Sequence, residues 1–124
     1  MCVKINNSMG LYFVSHKGVR LGDPSSPILF NFVADCLSKM IMKAQKKLIC
    51  GLADNFIENG VAILQYADDT IICLKDDLEV ARNMKLLLYL YERLSGLKIN
   101  FAKSEVILIN GDDTKCIQYT NMFN

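Results

Sequence analysis

The stretch that decides the fold is GVAILQYADDTIICL, residues Gly60–Leu74, in which two aliphatic runs enclose the acidic pair Asp68-Asp69. Apolar runs of this length, rich in β-branched residues and bounded by polar ones, predict two buried strands joined by a tight turn. Adjacent carboxylates at such a tip repel each other, so they must be solvated, hydrogen-bonded or neutralised by a cation. An oxygen-preferring divalent ion such as Mg²⁺ meets that need.

The same tip also has a purely structural interpretation. Asp is common in turns because its side chain bonds the nearby backbone. Taken alone, the Asp68-Asp69 pair therefore indicates only a turn, and the choice between the two interpretations depends on the rest of the chain.

The composition predicts one globular domain. The chain has 124 residues, of which 52% are hydrophobic, enough to bury a core. Its net charge of +1 does not favour general nucleic-acid binding, so any basic surface must be local. No apolar run reaches the roughly 18 to 20 residues of a membrane span, and no leader pattern is present. We therefore expect an intracellular protein, in the nucleus or cytoplasm, with no membrane partner.

The cysteines and the single histidine carry no chemical signal. The five cysteines are odd in number, widely separated and without C-x-x-C spacing, which predicts neither disulfides nor a zinc site. We interpret them as buried thiols in a reducing compartment. His16 is assigned no role.

Two long helices are predicted around the hairpin. Ser26 suits an N-cap and Pro27 the first helical position, and apolar residues then recur at threes and fours to about Leu48. The acidic segment Asp76–Glu79 has the composition of a second helix start, and Gly96 that of its end.

Charged residues on the first helix have a structural explanation. Asp35 and Lys39 are spaced to pair, and Lys43, Lys46 and Lys47 suit the negative end of the helix dipole. A phosphate-binding patch is the alternative interpretation of these lysines.

Shorter strands complete the pattern. Val3–Ile5 and Leu11–Val14 are predicted to form a first hairpin, and Leu97–Phe101 and Glu105–Ile109 a strand pair. The order of elements predicts an α+β fold, an antiparallel sheet of hairpins with two long helices on one face. We expect a domain over residues 1–111 and an irregular C-terminal tail over residues 112–124, which show no clear period.

Three segments, in this order and spacing, resemble the palm of a reverse transcriptase. GVRLGDPSSPILFNFVAD at Gly18–Asp35 is similar to motif B, QYADDT at Gln65–Thr70 matches motif C, and GLKINFAKSE at Gly96–Glu105 resembles motif D and its approach. The resemblance is to the non-LTR (LINE-type) retrotransposon enzymes, plant members in particular, and it extends from the first hairpin to about Ile109. Y-A-D-D alone is a weak signal, whereas the ordered trio is specific.

The resemblance implies RNA-directed DNA polymerisation, with a partial polymerase palm as the fold. The family transfers nucleotides from dNTPs to a primer 3′-hydroxyl on an RNA template, using two Mg²⁺ ions, with Mn²⁺ as a substitute. By resemblance, Asp68 and Asp69 are the catalytic, metal-binding acids, and Tyr66 and Ala67 shape the turn near the end of the DNA primer.

Motifs B and D add further implied residues and two departures. Gly22 would let the backbone approach the nucleotide or template, with Asp23 fixing the loop, and Lys103 would lie near the phosphates. Leu21 stands where the family usually has Gln, and Ser25 where Leu is usual. An aliphatic side chain cannot replace the hydrogen bonds of an amide, which affects nucleotide positioning.

Completeness of the site is a separate expectation. The metal-binding Asp of motif A is expected before the first hairpin, and the fingers and thumb are expected to belong to a missing remainder of the polymerase. We therefore expect weak metal binding, no tighter than about a millimolar, and no activity by this chain alone. The alternatives are a non-catalytic nucleic-acid-binding or protein-binding remnant of a retrotransposon, or no function.

Overall fold

The fold is mixed α and β. The computed structural model describes residues 2–14, 18, 22–45, 47–52, 56–57, 60–109 and 111–123, and the chain divides into two compact units, Met1–Phe32 and Val33–Asn124. The described strands form antiparallel hairpins, each a two-stranded sheet of its own, and three α-helices accompany them. The α+β class predicted from the sequence is confirmed.

The first hairpin is shorter than predicted. Strands β1 (Lys4–Ile5) and β2 (Ser8–Met9) are joined by Asn6 and Asn7, which both have positive φ. Asn tolerates this conformation well, and two such residues make the tight turn whose twist suits a hairpin. The turn at Asn6-Asn7 pairs β1 with Ser8–Met9 and not with residues 11–14. The predicted second strand at residues 11–14 is therefore wrong, and this segment is exposed and has no regular structure.

Helix α1 (Ser26–Gln45) begins where the sequence predicts and ends slightly earlier. Asp23 prepares its start: the carboxylate accepts a 2.8 Å bond from the Ser25 N–H, and the carbonyl accepts a 3.0 Å bond from the N–H of Ser26. Pro27 lies in the first turn, where its missing N–H has no intrahelical partner to lose.

Helix α2 (Leu78–Ser95) has both predicted boundaries. Asp77 is its N-cap, with extended backbone, and its carboxylate accepts bonds of 2.7 Å and 3.4 Å from the N–H groups of Glu79 and Val80. Gly96 ends the helix with φ +73°, a left-handed conformation that glycine adopts without steric cost.

The core of the second unit lies between the helices and the central hairpin, strands β3 (Ile63–Tyr66) and β4 (Asp69–Ile72). Fully burying an aliphatic side chain contributes roughly 1.5 to 3 kcal/mol, so this cluster holds α1, α2 and the hairpin together. Its buried members are Leu37, Ile41, Ala44, Ile49, Ala62, Met84, Leu87, Leu88 and Tyr91.

The region after α2 departs from the prediction. The expected strands at residues 97–101 and 105–109 are absent from the described part of the chain; residues Phe101–Lys103 form a short 3-10 helix instead. A strand needs a neighbour to complete its hydrogen bonds, and the described residues offer these segments none.

The predicted irregular tail is a helix. Helix α3 (Asp113–Phe123) packs on α2 and buries Tyr119. Its start is set by Asp112, whose carbonyl accepts bonds from the N–H groups of Lys115 and Cys116. The helix forms because its narrow apolar side finds α2 to cover it, which outweighs its polar composition.

The cysteines are free, as expected, but less buried than expected. Cys36 is exposed and the other four are partly buried. His16 lies outside the described residues. Within the described ranges, no helix combines the length and the apolar character needed to cross a membrane.

Candidate active site at the hairpin tip

The acidic pair occupies the tip of the β3–β4 hairpin. Tyr66 pairs with Asp69 at the end of the ladder, so Ala67 and Asp68 form a two-residue loop. The predicted pair of strands joined by a tight turn is confirmed, whereas the prediction that both strands are buried is wrong, because Leu64 and Ile71 are exposed.

The loop has an unusual backbone. Ala67 has φ +52°, a region that L-residues other than Asn and Asp rarely occupy, at a cost of about 1 to 2 kcal/mol. In a two-residue hairpin loop a positive φ at the first position is usually supplied by glycine. The paired strands impose this conformation on alanine. Strain of this kind is found preferentially at functional sites.

The two faces of the hairpin differ. The inner face carries Ile63 and Ile72, which pack on the core, and Gln65, which accepts a 2.5 Å hydrogen bond from the Ser38 hydroxyl of α1. This bond joins the strand that leads to the tip to a helix. Sequence reasoning missed it, although a lone Gln at an inward position of an apolar strand was the available signal.

The outer face of the hairpin is exposed. Alternation along the ladder places Leu64 opposite Ile71 and Tyr66 opposite Asp69 on this face. All four residues are exposed, Tyr66 to 86%. The aromatic ring and one of the two carboxylates therefore lie side by side on an open surface.

The base of the hairpin is held by the connection from α1. Leu52 and Val61 form an antiparallel bridge with bonds of 3.0 Å and 2.8 Å. Gly60 has φ +66°, and a Cβ there would lie 2.6 Å from the Leu52 carbonyl oxygen, so only glycine fits. A second tie joins the Lys75 N–H to the Cys50 carbonyl at 3.1 Å. The tip therefore stands on a fixed base.

The exit of the hairpin is held by α3. Asp76 accepts a 2.6 Å bond from the Tyr119 hydroxyl and a 2.7 Å bond from the Lys115 ammonium group. The bond to Asp76 raises the pKa of Tyr119 to about 12, and the same two partners lower the pKa of Asp76. The segment that was predicted to be an irregular tail therefore anchors the chain between the hairpin and α2.

The two acids have no polar partner among the described residues. Asp68 and Asp69 are exposed, and neither carboxylate makes a hydrogen bond or an ion pair there. Neighbouring carboxylates without a cation fit a hard divalent ion by their oxygen chemistry. They are only two, and the described part of the chain contains no group of three or more His, Cys, Asp or Glu arranged to hold a metal. An ion held by this pair would need further ligands from water, substrate or another segment.

The residues of the motif B loop belong to the first unit. Gly22 has φ +80°, and no described residue other than its chain neighbours lies within 4 Å of the position that a Cβ would take, so the described part of the chain leaves its backbone accessible. Asp23 is engaged in the helix start described above, as the sequence predicts for a residue that fixes the loop. Leu21 lies outside the described residues.

Lys103 ends the short 3-10 helix and is exposed. Among the described residues, no hydrogen bond or ion pair connects its ammonium group to the acids of the tip. Of the predicted site residues in the second unit, Tyr66, Ala67, Asp68 and Asp69 lie together at the hairpin tip. Among the described residues, Lys103 has no bond to this group.

A hairpin that presents adjacent acids at its tip and is backed by two helices is consistent with part of a polymerase palm. The comparison with protein families agrees: residues 1–122 match the reverse transcriptase (RNA-dependent DNA polymerase) family. The chain belongs to that family. Its members copy a template from a primer and generally use divalent metal ions.

A curated relative narrows the type. The chain is 29% identical over 107 residues to the "Retrovirus-related Pol polyprotein from type-1 retrotransposable element R2" of Popillia japonica. The match covers 86% of this chain and 14% of the relative's length. It supports the predicted non-LTR type, whereas the plant-like affinity stays a prediction. No solved structure matches the chain.

Proposed function

We propose that this chain supplies the acidic tip of an RNA-directed DNA polymerase that transfers nucleotides from dNTPs to the 3′-hydroxyl of a DNA primer on an RNA template. The observation that carries the proposal is a pair of adjacent carboxylates that have no polar partner among the described residues, on a hairpin fixed at its base and exit, in a chain of the reverse transcriptase family. Rigid support is what a catalytic site needs from its scaffold.

Asp68 and Asp69 are the residues that would hold Mg²⁺ or Mn²⁺. Bound ions would neutralise the developing charge on the attacking and leaving oxygens. In this proposal Asp68, which lies in the loop itself, is the principal metal ligand. Asp69, the first residue of β4, is the adjoining catalytic acid. Tyr66 and Ala67 would lie beside the 3′ end of the primer. The exposed ring of Tyr66 supports this role, because it is accessible to a bound primer.

The remaining predicted residues have supporting roles in this proposal. The accessible backbone of Gly22 and the loop held by Asp23 would contact the nucleotide or template. Lys103, exposed and without an ion pair in the described part of the chain, would contact phosphates of the substrate.

We further propose that these 124 residues do not polymerise DNA by themselves. Two carboxylates are few for an ion that takes six or more oxygen ligands. The remaining ligands, and most contacts to template and primer, would come from the rest of a polymerase. The expected dissociation constant of the tip for Mg²⁺ is accordingly no tighter than about a millimolar.

A Mn²⁺ titration followed by NMR tests the metal site. We expect paramagnetic broadening centred on residues 66–70, which the double variant Asp68→Asn, Asp69→Asn abolishes. The chain offers a matched control in Asp112-Asp113, an exposed adjacent pair that is not on a hairpin. Equal broadening at both pairs would show general attraction to acidic surface and would remove the support for a site.

Primer extension tests sufficiency. With an RNA template, a DNA primer, dNTPs and either metal ion, we expect no extension by the 124-residue chain. Extension that depends on Asp68 would contradict the claim that further ligands are needed. Micromolar affinity for Mg²⁺ would contradict it as well.

A further inference from the structure

The outer side of α2 carries a row of leucines that the described chain leaves uncovered. Leu86, Leu90 and Leu94 recur every four residues and are 59%, 46% and 76% exposed. We name these three residues the leucine ridge. Single exposed leucines are ordinary on a protein surface, but a contiguous row at helical spacing marks an interaction surface.

The ridge is held in place by the other side of α2. Met84, Leu88 and Tyr91 on that side are buried in the core, and the Tyr91 hydroxyl donates a 3.2 Å bond to the Val33 carbonyl of α1. The helix therefore cannot rotate to hide the ridge. It presents three leucines at a fixed spacing of about 6 Å along the helix axis, the spacing that another helix can match.

Two arginines follow one flank of the ridge. Arg82 and Arg93 lie within 40° of Leu86 around the helix, because successive residues turn by about 100°. Both are exposed, and neither forms an ion pair among the described residues. The Arg93 guanidinium lies 5.9 Å from the centre of the Tyr89 ring, which holds it beside the ridge.

The other charged groups of the middle and last turns are already engaged. Lys85 donates a hydrogen bond to the Met122 carbonyl of α3. Glu92 accepts a 2.7 Å bond from the N–H of Ile99. Only Glu79, in the first turn, adds a negative charge in line with the ridge. The flank along the leucines is therefore basic.

From this combination we propose that the leucine ridge docks an amphipathic helix of another protein, one whose apolar stripe is bordered by Asp or Glu. The leucines would bury the partner's stripe, and the arginines would select its acidic border. The inference concerns a face of the chain that the proposed metal site does not use.

A second copy of this chain fits less well. If two α2 helices packed parallel, each arginine would face its own equivalent, and like charges brought together in this way cost free energy. A nucleic acid would pair its phosphates with the arginines but would leave the leucines in water.

Three labelled peptides of about 18 residues, long enough for five turns, test the proposal by fluorescence anisotropy with the whole chain. The first, Glu-bordered peptide has a leucine stripe with Glu on its borders. The second, Lys-bordered peptide has the same stripe with Lys on its borders. The third, the Gln peptide, has Gln in place of the leucines. We expect the Glu-bordered peptide to bind at least about tenfold more tightly than the Lys-bordered one, and the Gln peptide not to bind. Equal binding of the first two would overturn the proposal.

Variants of the chain locate the contact. The double variant Leu86→Gln, Leu90→Gln is expected to weaken binding of the acidic peptide about tenfold or more, because two leucines lose their burial against it. The matched control is Leu64→Gln, Ile71→Gln, which makes the same change on the outer face of the hairpin. All these positions are exposed, so far-UV circular dichroism should show unchanged helix content. An equal loss in the control variant would overturn the proposal.

Charge reversal distinguishes the remaining partners. Arg82→Glu with Arg93→Glu is expected to invert the preference, so that the Lys-bordered peptide binds more tightly. Self-association in analytical ultracentrifugation that Leu86→Gln, Leu90→Gln abolishes would instead identify a second copy as the occupant. Displacement of the bound peptide by a single-stranded oligonucleotide would identify a nucleic acid. Either result would refute the proposal.

Discussion

The contact between α3 and the exit of the hairpin yields a quantitative prediction. Tyr119→Phe removes one hydroxyl and leaves the buried ring in place. The lost bond, 2.6 Å long, joins a neutral donor to the carboxylate of Asp76. Hydrogen bonds to charged groups contribute about 1.5 to 3 kcal/mol. The Asp76 side chain is 44% exposed, so water replaces part of the bond, and we expect the variant to lose about 1 to 2 kcal/mol of unfolding free energy.

Urea denaturation followed by circular dichroism measures this loss. In a thermal scan it corresponds to a decrease in Tm of roughly 5 °C for a chain of this length. Tyr89→Phe is the matched control, because Tyr89 is exposed and its hydroxyl has no partner among the described residues. We expect that control to change the unfolding free energy by less than about 0.5 kcal/mol.

The pH dependence provides an independent check. The pKa of Tyr119 is raised from 10.0 to about 12 in the folded chain, so its stabilising contribution is complete below pH 10 and disappears as the pH rises towards 12. The pKa of Asp76 is lowered, so its effect on stability has the opposite pH dependence. Its contribution to the unfolding free energy is present above pH 3.8, the ordinary pKa of the group, and disappears as the pH falls below that value. The difference between wild type and Tyr119→Phe should therefore be largest between these limits. If Tyr119→Phe were as stable as Tyr89→Phe at neutral pH, the anchoring role of α3 would be refuted.

Substitutions at three further positions test the backbone around the site, each by urea denaturation. Asp77→Ala removes the cap of α2 and is expected to cost about 1 kcal/mol; no loss would mean that solvent caps the helix equally well. Gly60→Ala is expected to cost more than about 2 kcal/mol, because the new Cβ would lie 2.6 Å from the Leu52 carbonyl oxygen at a positive φ; a smaller loss would indicate that the bridge can open without cost. At Ala67, replacement by Val should destabilise the hairpin by about 1 to 2 kcal/mol, whereas Gly should be nearly neutral, since relief of strain offsets the added chain entropy. Equal stability of the Val and Gly variants would show that the loop relaxes.

The features predictable from the sequence were those with a local physical cause. The cap at Asp77 and the glycine at position 96 determine the ends of α2 by chemistry within a few residues. The β3–β4 hairpin follows from two apolar runs around a polar turn. In each case the signal and the structure it specifies lie in the same short segment, so the sequence alone was sufficient.

The features that were missed depend on partners distant in sequence. The side of α3 that packs on α2 is narrow, and its anchor Tyr119 bonds to Asp76, 43 residues earlier. Because Asp76 lies outside the segment at residues 112–124, the periodicity of that segment gives no sign of this bond. An Asp before the helix, followed by Cys116, Tyr119 and Phe123 at helical spacing, was the available local signal. The segment at residues 105–109 illustrates the converse, because apolar β-formers without a partner strand do not make a strand.

The positive φ of Ala67 unites the structural and functional arguments about the tip. Glycine is the residue that usually supplies a positive φ at the first position of a two-residue loop, since it carries no steric penalty there. The chain instead has alanine, with tightly paired strands on either side and a hydrogen bond from Ser38 behind them. Alanine narrows the conformations of the loop and so restricts the positions of Asp68 and Asp69. Backbone strain of this kind is found preferentially at functional sites, so the turn that restricts these two carboxylates supports the proposed metal-binding role of the tip.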